Sequence, residues 1–240
     1  PVAGGSWTAA SAGSSVQAAC EAVKKILFKY AESMTNSPLR GVKYDEVEVA
    51  GGVIRHREDR GRNLSIAEVM RSADISEIEE TGKVGPDLLQ MMKYVSYTHS
   101  AVFAEVRVDE ELGVVRVTRV VCATAAGKIL NPKTARSQIL GGVVMGIGMA
   151  LHEEGMTDHR LGKIMNHNFA EYHISAHADV DNIEVIFVDE HDHRVSPLGV
   201  KGLGEIGIVG TAAAVANAIF HATGKRVREF PITIDKLLKQ

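Results

Sequence analysis

The sequence predicts an α+β protein in which mixed sheets are covered by packed helices. Three observations support this fold class. Stretches with an apolar residue at every second position are interspersed with stretches of helical periodicity. No segment repeats with a period of about 20 to 50 residues, and no low-complexity linker separates strands from helices. At 240 residues the chain can bury a large core, and we expect any sub-domains to be residues 1–95 and 96–240.

The composition argues against several classes of protein, among them nucleic-acid-binding, disulfide-rich and membrane-embedded proteins. Hydrophobic residues make up 45% of the chain and charged residues 24%, which is typical of folded globular proteins. The 27 basic residues are balanced by 30 acidic ones, so no broad positive field favours a nucleic acid partner. Two cysteines, Cys20 and Cys122, are too few for a disulfide scaffold or a cysteine-rich metal site. The longest apolar stretch, residues 206–220, is shorter than the roughly 18 residues of a membrane span, so we expect no membrane insertion.

The first elements are a long helix and a hairpin. Apolar residues recur at helical spacing and predict a helix over residues 15–32, which places Cys20 on the buried stripe. Residues 45–57 alternate around the turn Gly51-Gly52, which is the pattern of a β-hairpin. A short helix should follow at Ser65, because a glutamate three residues later completes a capping box.

The remaining elements are three strands and two helices. Alternating residues predict paired strands over 101–109 and 114–122, and residues 183–189 predict a short buried strand. Asn131-Pro132 marks the start of a helix that runs to about His152. Its four glycines indicate that another helix or a ligand approaches too closely for a side chain. Residues 206–222 predict a helix that is apolar all round and therefore buried, ended by a glycine.

Residues 202–207 have the G-x-G-x-x-G spacing of a dinucleotide-binding turn, with Glu205 inside it. A dinucleotide fingerprint requires an apolar strand that leads into the first glycine, but Pro197 forbids a central strand there. Glu205 would also direct a negative charge at the pyrophosphate. The alternative is a glycine-lined carboxylate, kept ionised by the helix that follows and able to act as a general base.

Two further stretches are candidates for ligand binding. "GGSWTAASAGSS" combines glycines and hydroxyls before a helix, which is either an anion-binding loop that uses Thr8, Ser11 and Ser14 or a solvated arm. Gln138 precedes several helical glycines and could present its amide to a ligand along that helix, although close helix packing explains the glycines equally well. The ten histidines fit no metal-ligand spacing, so we expect no metal held by side chains.

Taken in order, these stretches resemble the C-terminal part of the molybdenum-binding large subunit of the xanthine dehydrogenase and aldehyde oxidase family. "SWTAASAGSSVQAAC" is similar to its Thr-Ala-Ala-Ser loop, "QILGGVVMGIGMALHEE" to its Gln-x-x-Gly helix and "VKGLGEIG" to its Gly-Glu motif. "NFAEYHISAHADVDNIEVIFVDEHD" is closest to the bacterial aldehyde-oxidising branch. The resemblance covers nearly the whole chain.

The resemblance implies a molybdenum hydroxylase that oxidises an aldehyde or N-heterocycle with oxygen from water. Glu205 would be the base at the molybdenum centre, and the metal would be held through the pterin dithiolene rather than by a side chain. The cofactor would be molybdopterin cytosine dinucleotide. The residues implied to contact it are Thr8, Ala9, Ala10, Ser11, Gly13, Ser14, Gln138, Gly142 and Gly204.

The resemblance also implies partners. An iron–sulfur subunit and an FAD subunit would remove the electrons. A companion polypeptide would supply the rest of the large subunit, because the family's Met-Gly-Gln-Gly type loop is not found here. The sequence departs from the usual Gly-Glu-Pro at Ile206, and its start at Pro1 suggests a fragment or processed chain. The compartment would be cytoplasmic, or periplasmic if a partner carries the signal. Two alternatives stay open, an NAD-type enzyme that uses residues 202–207 and a non-catalytic assembly module.

Overall fold

The structure is a computed structural model that describes residues 4–85 and 88–238, except for the side chain of Met91. Helices and sheets are both present, which confirms the α+β class. The chain divides into two units. Ser11–Met91 is named here the hairpin unit, and Pro1–Ala10 together with Met92–Gln240 is named the sheet unit. Sequence analysis placed a boundary near residue 95 but did not anticipate that the first residues group with the later unit.

Helix α1 (Thr8–Ser33) starts in the sheet unit and continues as the first element of the hairpin unit. It begins seven residues before the predicted start. The stretch Thr8–Ser14, predicted as a loop, is helical because three of its seven residues are alanine, the strongest helix former. The prediction that Cys20 is buried was wrong. The residues of α1 that belong to the hydrophobic core of the hairpin unit are Val23, Leu27, Phe28 and Ala31, and Cys20 is not among them.

A small antiparallel sheet completes the hairpin unit. Its strands β1 (Val47–Ala50), β2 (Val53–His56) and β3 (Asn63–Ser65) pair in that order, and the two glycines of the β1–β2 turn have φ of 59° and 78°, which confirms the hairpin. Helix α2 (Ile66–Ser72) follows. Ser65 Oγ accepts the N–H of Glu68 at 3.1 Å while the Glu68 carboxylate accepts the Ser65 N–H at 2.9 Å, so the capping box is confirmed. The buried core residues of this unit are Leu27, Phe28, Ala31, Leu39, Val42, Val47, Ile54 and Val69.

The sheet unit opens with a long hairpin. After helix α3 (Leu88–Lys93), strands β4 (His99–Asp109) and β5 (Val114–Ala125) pair antiparallel, with a register shift at Glu105. Both strands were predicted, and each extends a few residues beyond its predicted range at the end away from the turn. This is the end of the sheet that leads into the candidate site.

Helix α4 (Pro132–Leu151) has the predicted bounds to within one residue, and it lies against this sheet. The side-chain oxygen of Asn131 accepts the N–H groups of Lys133 and Thr134 at 3.1 and 3.2 Å, which satisfies two donors of the first turn. One face of α4 enters the core of the sheet unit. The buried residues of that core are Val117, Val120, Cys122, Ile139, Val143, Ile147, Ala150, Ala212, Val215, Ile219, Ile232 and Leu237.

Three more strands follow α4. Strands β6 (Thr157–Asp158) and β7 (Lys163–Ile164) form a separate two-stranded sheet, and β8 (Asn182–Phe187) pairs parallel to β5. The main sheet therefore has the order β4-β5-β8. Strand β8 was predicted as buried, but it is an edge strand whose residues alternate between exposed and half-buried.

The predicted helix over residues 206–222 is two helices, α5 (Ile206–Val209) and α6 (Thr211–Thr223), and helix α7 (Ile234–Leu238) follows near the C-terminus. The break is at Gly210, whose missing Cβ would lie 3.0 Å from a methyl group of Val102 on β4. Gly224 ends α6 in the left-handed conformation, φ 73°, as predicted.

By length and composition, Ile206–Thr223 could cross a membrane, with a mean hydropathy of 1.5. That corrects the sequence-based statement that no stretch reaches the required length. In the structure Val215 and Ile219 are fully buried in the sheet-unit core, but only 28% of this stretch is buried and Val209 is 70% exposed. The prediction that the helix is buried all round was therefore wrong, because it packs on the core through one face.

Candidate active site

The turn before Glu205 is fixed by backbone contacts within the sheet unit. Residues 199–201 lie antiparallel to residues 126–128, joined by backbone hydrogen bonds of 2.8 and 3.1 Å. The hydroxyl of Thr98 then donates to the carbonyl of Gly202 at 2.6 Å. The chain is thus held at two consecutive points just before it reaches Glu205.

Glu205 is the residue that caps the N-terminus of α5, with φ −101° and ψ −14°, and its side chain is exposed. Within the described residues no hydrogen bond or ion pair engages its carboxylate. Both oxygens are therefore available to accept a proton or a hydrogen bond from a ligand.

Gly204, directly before the carboxylate, lies between two polar side chains. A Cβ atom at this position would be 2.8 Å from Ser6 Oγ and 3.0 Å from Gln138 Oε1. Ser6 itself adopts a left-handed backbone, φ 62°, which is uncommon for a residue with a side chain and is concentrated at functional sites. The glycine thus allows a hydroxyl and an amide to approach the backbone next to Glu205.

Gly202 and Gly207, the other two glycines of the G-x-G-x-x-G sequence, each lie against the backbone of another segment. A Cβ on Gly202 would be 2.9 Å from the carbonyl oxygen of Gly5, and one on Gly207 would be 2.8 Å from that of Ile139 in α4. Within the described residues, no strand enters the turn in the manner of a dinucleotide fold, since the main sheet has only β4, β5 and β8. The structure therefore gives no support to the NAD-type alternative.

A cavity of about 340 Å³ lies beside this turn. Three segments that are distant in sequence line it: the stretch around Ser6, the start of α4, and residues 200–204. The lining residues are Ser6, Thr8, Ala9, Ala126, Lys128, Ile129, Leu130, Asn131, Thr134, Ala135, Gln138, Val200, Lys201, Leu203 and Gly204.

Four of the residues predicted to contact a cofactor line this cavity together: Thr8, Ala9, Gln138 and Gly204. Ala10 is half-buried and outside the lining. Gly142 is buried in a helix contact, because a Cβ there would be 3.0 Å from Gly207 Cα. The glycines of α4 predicted that another helix or a ligand approaches closely, and at Gly142 the approaching element is α5.

Ser11, Gly13 and Ser14 belong to the hairpin unit, where they lie within α1. Ser14 is 1% exposed, and among the described residues its hydroxyl has no hydrogen-bond partner. A buried hydroxyl without a partner is uncommon in folded proteins. The predicted role of these three residues in binding a cofactor stays a prediction.

Two helices start at the cavity wall. Thr8 begins α1 and Asn131 caps α4, and neither helix has an acidic residue in its first turn. A helix N-terminus carries a partial positive charge and offers backbone N–H donors. The side chain of Asn131 already accepts two of the N–H groups in the first turn of α4. The N-terminus of α1 is therefore the better placed of the two to bind an anion. The cavity is thus suited to a negatively charged group.

A charged cluster that sequence analysis missed lies behind the turn. Lys201 Nζ contacts Glu190 Oε1 at 2.5 Å and Asp192 Oδ2 at 3.2 Å, and the lysine side chain is only 7% exposed. The second oxygen of Glu190 accepts the N–H of Gly127 at 2.7 Å. A signal was present in the sequence, since an acid-rich stretch precedes the single lysine of "GVKGLGEIG".

The cluster stabilises its own charged forms. Burial alone would lower the pKa of Lys201, but the hydrogen bonds to Glu190 and Asp192 raise that pKa above its ordinary value. The hydrogen bond from Lys201 and that from the Gly127 N–H lower the pKa of Glu190, although burial opposes them. Burial would raise the pKa of Asp192, but backbone N–H donors and Lys201 lower it.

Comparison with known proteins identifies the family. The profile of the molybdopterin cofactor-binding domain matches residues 1–181. The chain belongs to this family. Its resemblance to the molybdenum-binding large subunit of xanthine dehydrogenases and aldehyde oxidases is therefore confirmed. Within residues 4–85 and 88–238, no group of three or more His, Cys, Asp or Glu side chains could hold a metal ion.

Two relatives and one solved structure illustrate the similarity. The aldehyde oxidoreductase molybdenum-binding subunit PaoC of Escherichia coli strain K12 is 39% identical over 98% of this chain and 30% of the relative. The 6-hydroxypseudooxynicotine dehydrogenase complex subunit gamma of Paenarthrobacter nicotinovorans is 27% identical over 98% of this chain and 30% of its own length. The reconstituted CO dehydrogenase of Oligotropha carboxidovorans superposes with a TM-score of 0.81 at 18% identity, over 98% and 29% of the two chains. The chain therefore spans about 30% of the length of the curated relatives.

Proposed function

We propose that the chain is the C-terminal part of a molybdopterin-dependent oxidoreductase in which Glu205 is the base at the molybdenum centre. The observation that carries the proposal is the position of Glu205. Its exposed carboxylate, unpaired within the described residues, directly follows Gly204, which lines a cavity with Gln138 and Thr8. The name of PaoC supports an aldehyde as the substrate. An N-heterocycle is the alternative.

The residues around the cavity fit a pterin cofactor. Ser6 and Gln138 lie close to Gly204 and line the cavity with it, which brings a hydroxyl and an amide to the cavity wall next to Glu205. Hydroxyl and amide groups there can donate and accept hydrogen bonds to a heterocycle. The N-terminus of α1 at Thr8 suits the phosphate groups. We therefore expect Ser6, Thr8 and Gln138 to hold the cofactor, with the cytosine dinucleotide form as the species bound.

When bound, the cofactor would supply the redox chemistry, transferring a water-derived oxygen to the substrate and accepting two electrons. The protein's own contribution is a proton acceptor and its orientation. Glu205 accepts the proton released as the carbon–oxygen bond forms, and it passes that proton to solvent through its exposed side.

The partners follow from the size of the relatives. Because the chain spans about 30% of their length, a companion polypeptide would supply the rest of the large subunit. Iron–sulfur and FAD subunits would carry electrons away. Turnover with an artificial electron acceptor should then continue without O₂, since the oxygen comes from water. A strict requirement for O₂ would contradict this part of the proposal.

The decisive experiment is Glu205→Gln in the full molybdenum-binding subunit with its partners. General-base catalysis contributes about 10²- to 10⁴-fold, so kcat with an aldehyde should fall by that amount while molybdenum content is retained. Glu184→Gln is the matched control, because Glu184 forms an exposed ion pair with Arg119 (2.7 Å) in the same unit. It should leave kcat unchanged. Full turnover of Glu205→Gln would overturn the assignment and favour the assembly-module alternative.

A further inference from the structure

The cluster of Lys201 with Glu190 and Asp192 adjoins the cavity, whose lining includes Lys201 but neither of the two acids. Its lysine ammonium contacts both carboxylates, at 2.5 and 3.2 Å, and these acids come from the loop that follows β8. Glu190 uses its other oxygen to accept the N–H of Gly127, at the end of β5. One side-chain cluster therefore joins three segments: the acidic loop, the residues just after the central strand β5, and residues 199–201, which lead into the glycine turn of residues 202–204.

The glycine turn has few side chains of its own with which to hold its conformation. Between Lys201 and Glu205 the chain has two glycines and Leu203. Glycine allows many backbone conformations, so its ordering costs more conformational entropy than that of other residues. The turn must therefore be held by its neighbours, and Lys201 is the charged residue directly before it.

The bonding of Lys201 makes its position hard to change. Its side chain is 7% exposed, whereas the side chains of Glu190 and Asp192 are 27% and 23% exposed. Removal of one partner of a buried ion pair leaves charge without compensation, and the structure must then rearrange or admit water. Here, loss of the ammonium would leave two neighbouring carboxylates that repel each other and displace the segment of residues 199–201.

We propose that Lys201 is a positioning residue, which sets the place of the Glu205 carboxylate by anchoring the segment before it, residues 199–201, to Glu190 and Asp192. The raised pKa of Lys201 and the lowered pKa values of both acids are consistent with such an anchor. The proposal rests on the proposed function only in taking Glu205 as the reacting carboxylate. The anchoring itself is a property of the sheet unit and can be measured without turnover.

The first test is amide hydrogen exchange in the full molybdenum-binding subunit, comparing unaltered protein with Lys201→Met. Exchange in residues 199–206 should become about tenfold faster, the change expected for a local opening that is easier by about 1.4 kcal/mol. Exchange in the hairpin of residues 47–56 should not change. Lys225→Met is the matched control, since Lys225 donates to the carbonyl of Leu237 (2.6 Å) and contacts no acid in the cluster.

A milder variant covers the case in which Lys201→Met does not fold. Glu190→Gln leaves a balanced pair of Lys201 with Asp192 and should accelerate exchange in residues 199–206 to a smaller extent. Unchanged exchange in this segment in both variants would overturn the proposal. So would an equal increase in residues 47–56, which would indicate general destabilisation.

The second test measures steady-state kinetics of the loaded enzyme. A carboxylate displaced by about 1 Å can lower turnover about 100-fold, so kcat of Lys201→Met should fall strongly while KM changes little. A rise in KM with unchanged kcat would overturn the proposal, because it would mean that Lys201 binds the ligand directly. Failure of the proposed function is distinguishable, since full activity of Glu205→Gln would remove Glu205 from the chemistry without altering the exchange result.

Discussion

Gly146 in α4 faces Thr211 at the start of α6 so closely that a Cβ atom on the glycine would lie 2.5 Å from the threonine Cβ. Thr211 is fully buried, and its hydroxyl donates to the carbonyl of Gly207 at 2.8 Å. The contact joins α4 to α6 six residues after Glu205, and the hydrogen bond of Thr211 extends it to Gly207 in α5. It therefore supports the backbone on which Glu205 is carried.

Gly146→Ala should destabilise the sheet unit, because neither Thr211 nor the helix backbone can move away easily. Overpacking of this kind lowers the free energy of unfolding by about 1–3 kcal/mol. Gly141→Ala in the same helix is the control, since no atom lies within 4 Å of the added methyl group. It should raise stability by about 0.4–1 kcal/mol. Urea unfolding measures both, and equal effects of the two substitutions would contradict the packing explanation.

Gly204→Ala should impair cofactor binding without affecting stability, whereas Gly207→Ala should lower stability. The methyl group on Gly207 would meet the backbone of Ile139 at 2.8 Å, so this variant should lose about 1–3 kcal/mol of stability. On Gly204 it would meet only the side-chain ends of Ser6 and Gln138, which can turn away. That variant should keep its melting temperature and lose molybdenum. Metal analysis beside thermal unfolding measures the two effects, and loss of stability in Gly204→Ala with full molybdenum content would contradict this division.

Local patterns in the sequence were sufficient to predict most elements of the fold. The Gly51-Gly52 hairpin, the capping box at Ser65 and the Asn131-Pro132 helix start each depend on a few neighbouring residues, and each is confirmed. Elements that depend on distant contacts were predicted poorly. The break between α5 and α6 is at Gly210, which lies close to Val102 of β4, and the exposure of β8 follows from its place at the sheet edge.

In the candidate site, too, local features were predicted and features that depend on distant contacts were not. Glu205 was selected from its glycine neighbours, but the contact of Gly204 with Ser6 joins residues about 200 positions apart, which no local pattern can predict. The Lys201 cluster was missed for a related reason. Charged residues usually lie on the solvated surface, so the acid-rich stretch before Lys201 indicates an ion pair but not that the lysine is only 7% exposed.

Asn131→Ala should destabilise α4, whose first turn relies on the asparagine oxygen for two N–H groups, at 3.1 and 3.2 Å. Loss of such a cap costs about 1 kcal/mol of unfolding free energy. Asn131→Asp keeps the cap and should keep the stability. Because residue 131 also lines the cavity, the new negative charge should weaken binding of an anionic cofactor. Urea unfolding with metal analysis checks both parts, and equal loss of stability in the two variants would contradict the capping role.

The ion cluster should make stability depend on pH in a defined direction. The pKa of Glu190 is lowered in the folded protein, mainly by its hydrogen bond with Lys201. The resulting stability is therefore complete above the ordinary glutamate pKa of 4.5 and is lost as the pH falls through the folded value. Asp192 contributes in the same direction, whereas the raised pKa of Lys201 makes its contribution disappear only above its ordinary value of 10.5.

Glu190→Gln isolates this contribution, because the amide has nearly the shape of a protonated carboxyl group. The unaltered protein should be more stable than the variant near pH 7, since the variant has lost the carboxylate that Lys201 and the Gly127 N–H stabilise. Below the folded pKa of Glu190 both proteins carry an uncharged group there, so the difference in unfolding free energy should shrink as the pH falls below 4.5. Urea unfolding at several pH values between about 3 and 8 measures that difference. A difference that is constant across this range would mean that Glu190 acts through its shape rather than through its charge, and the anchoring of Lys201 would then have to come from Asp192 alone.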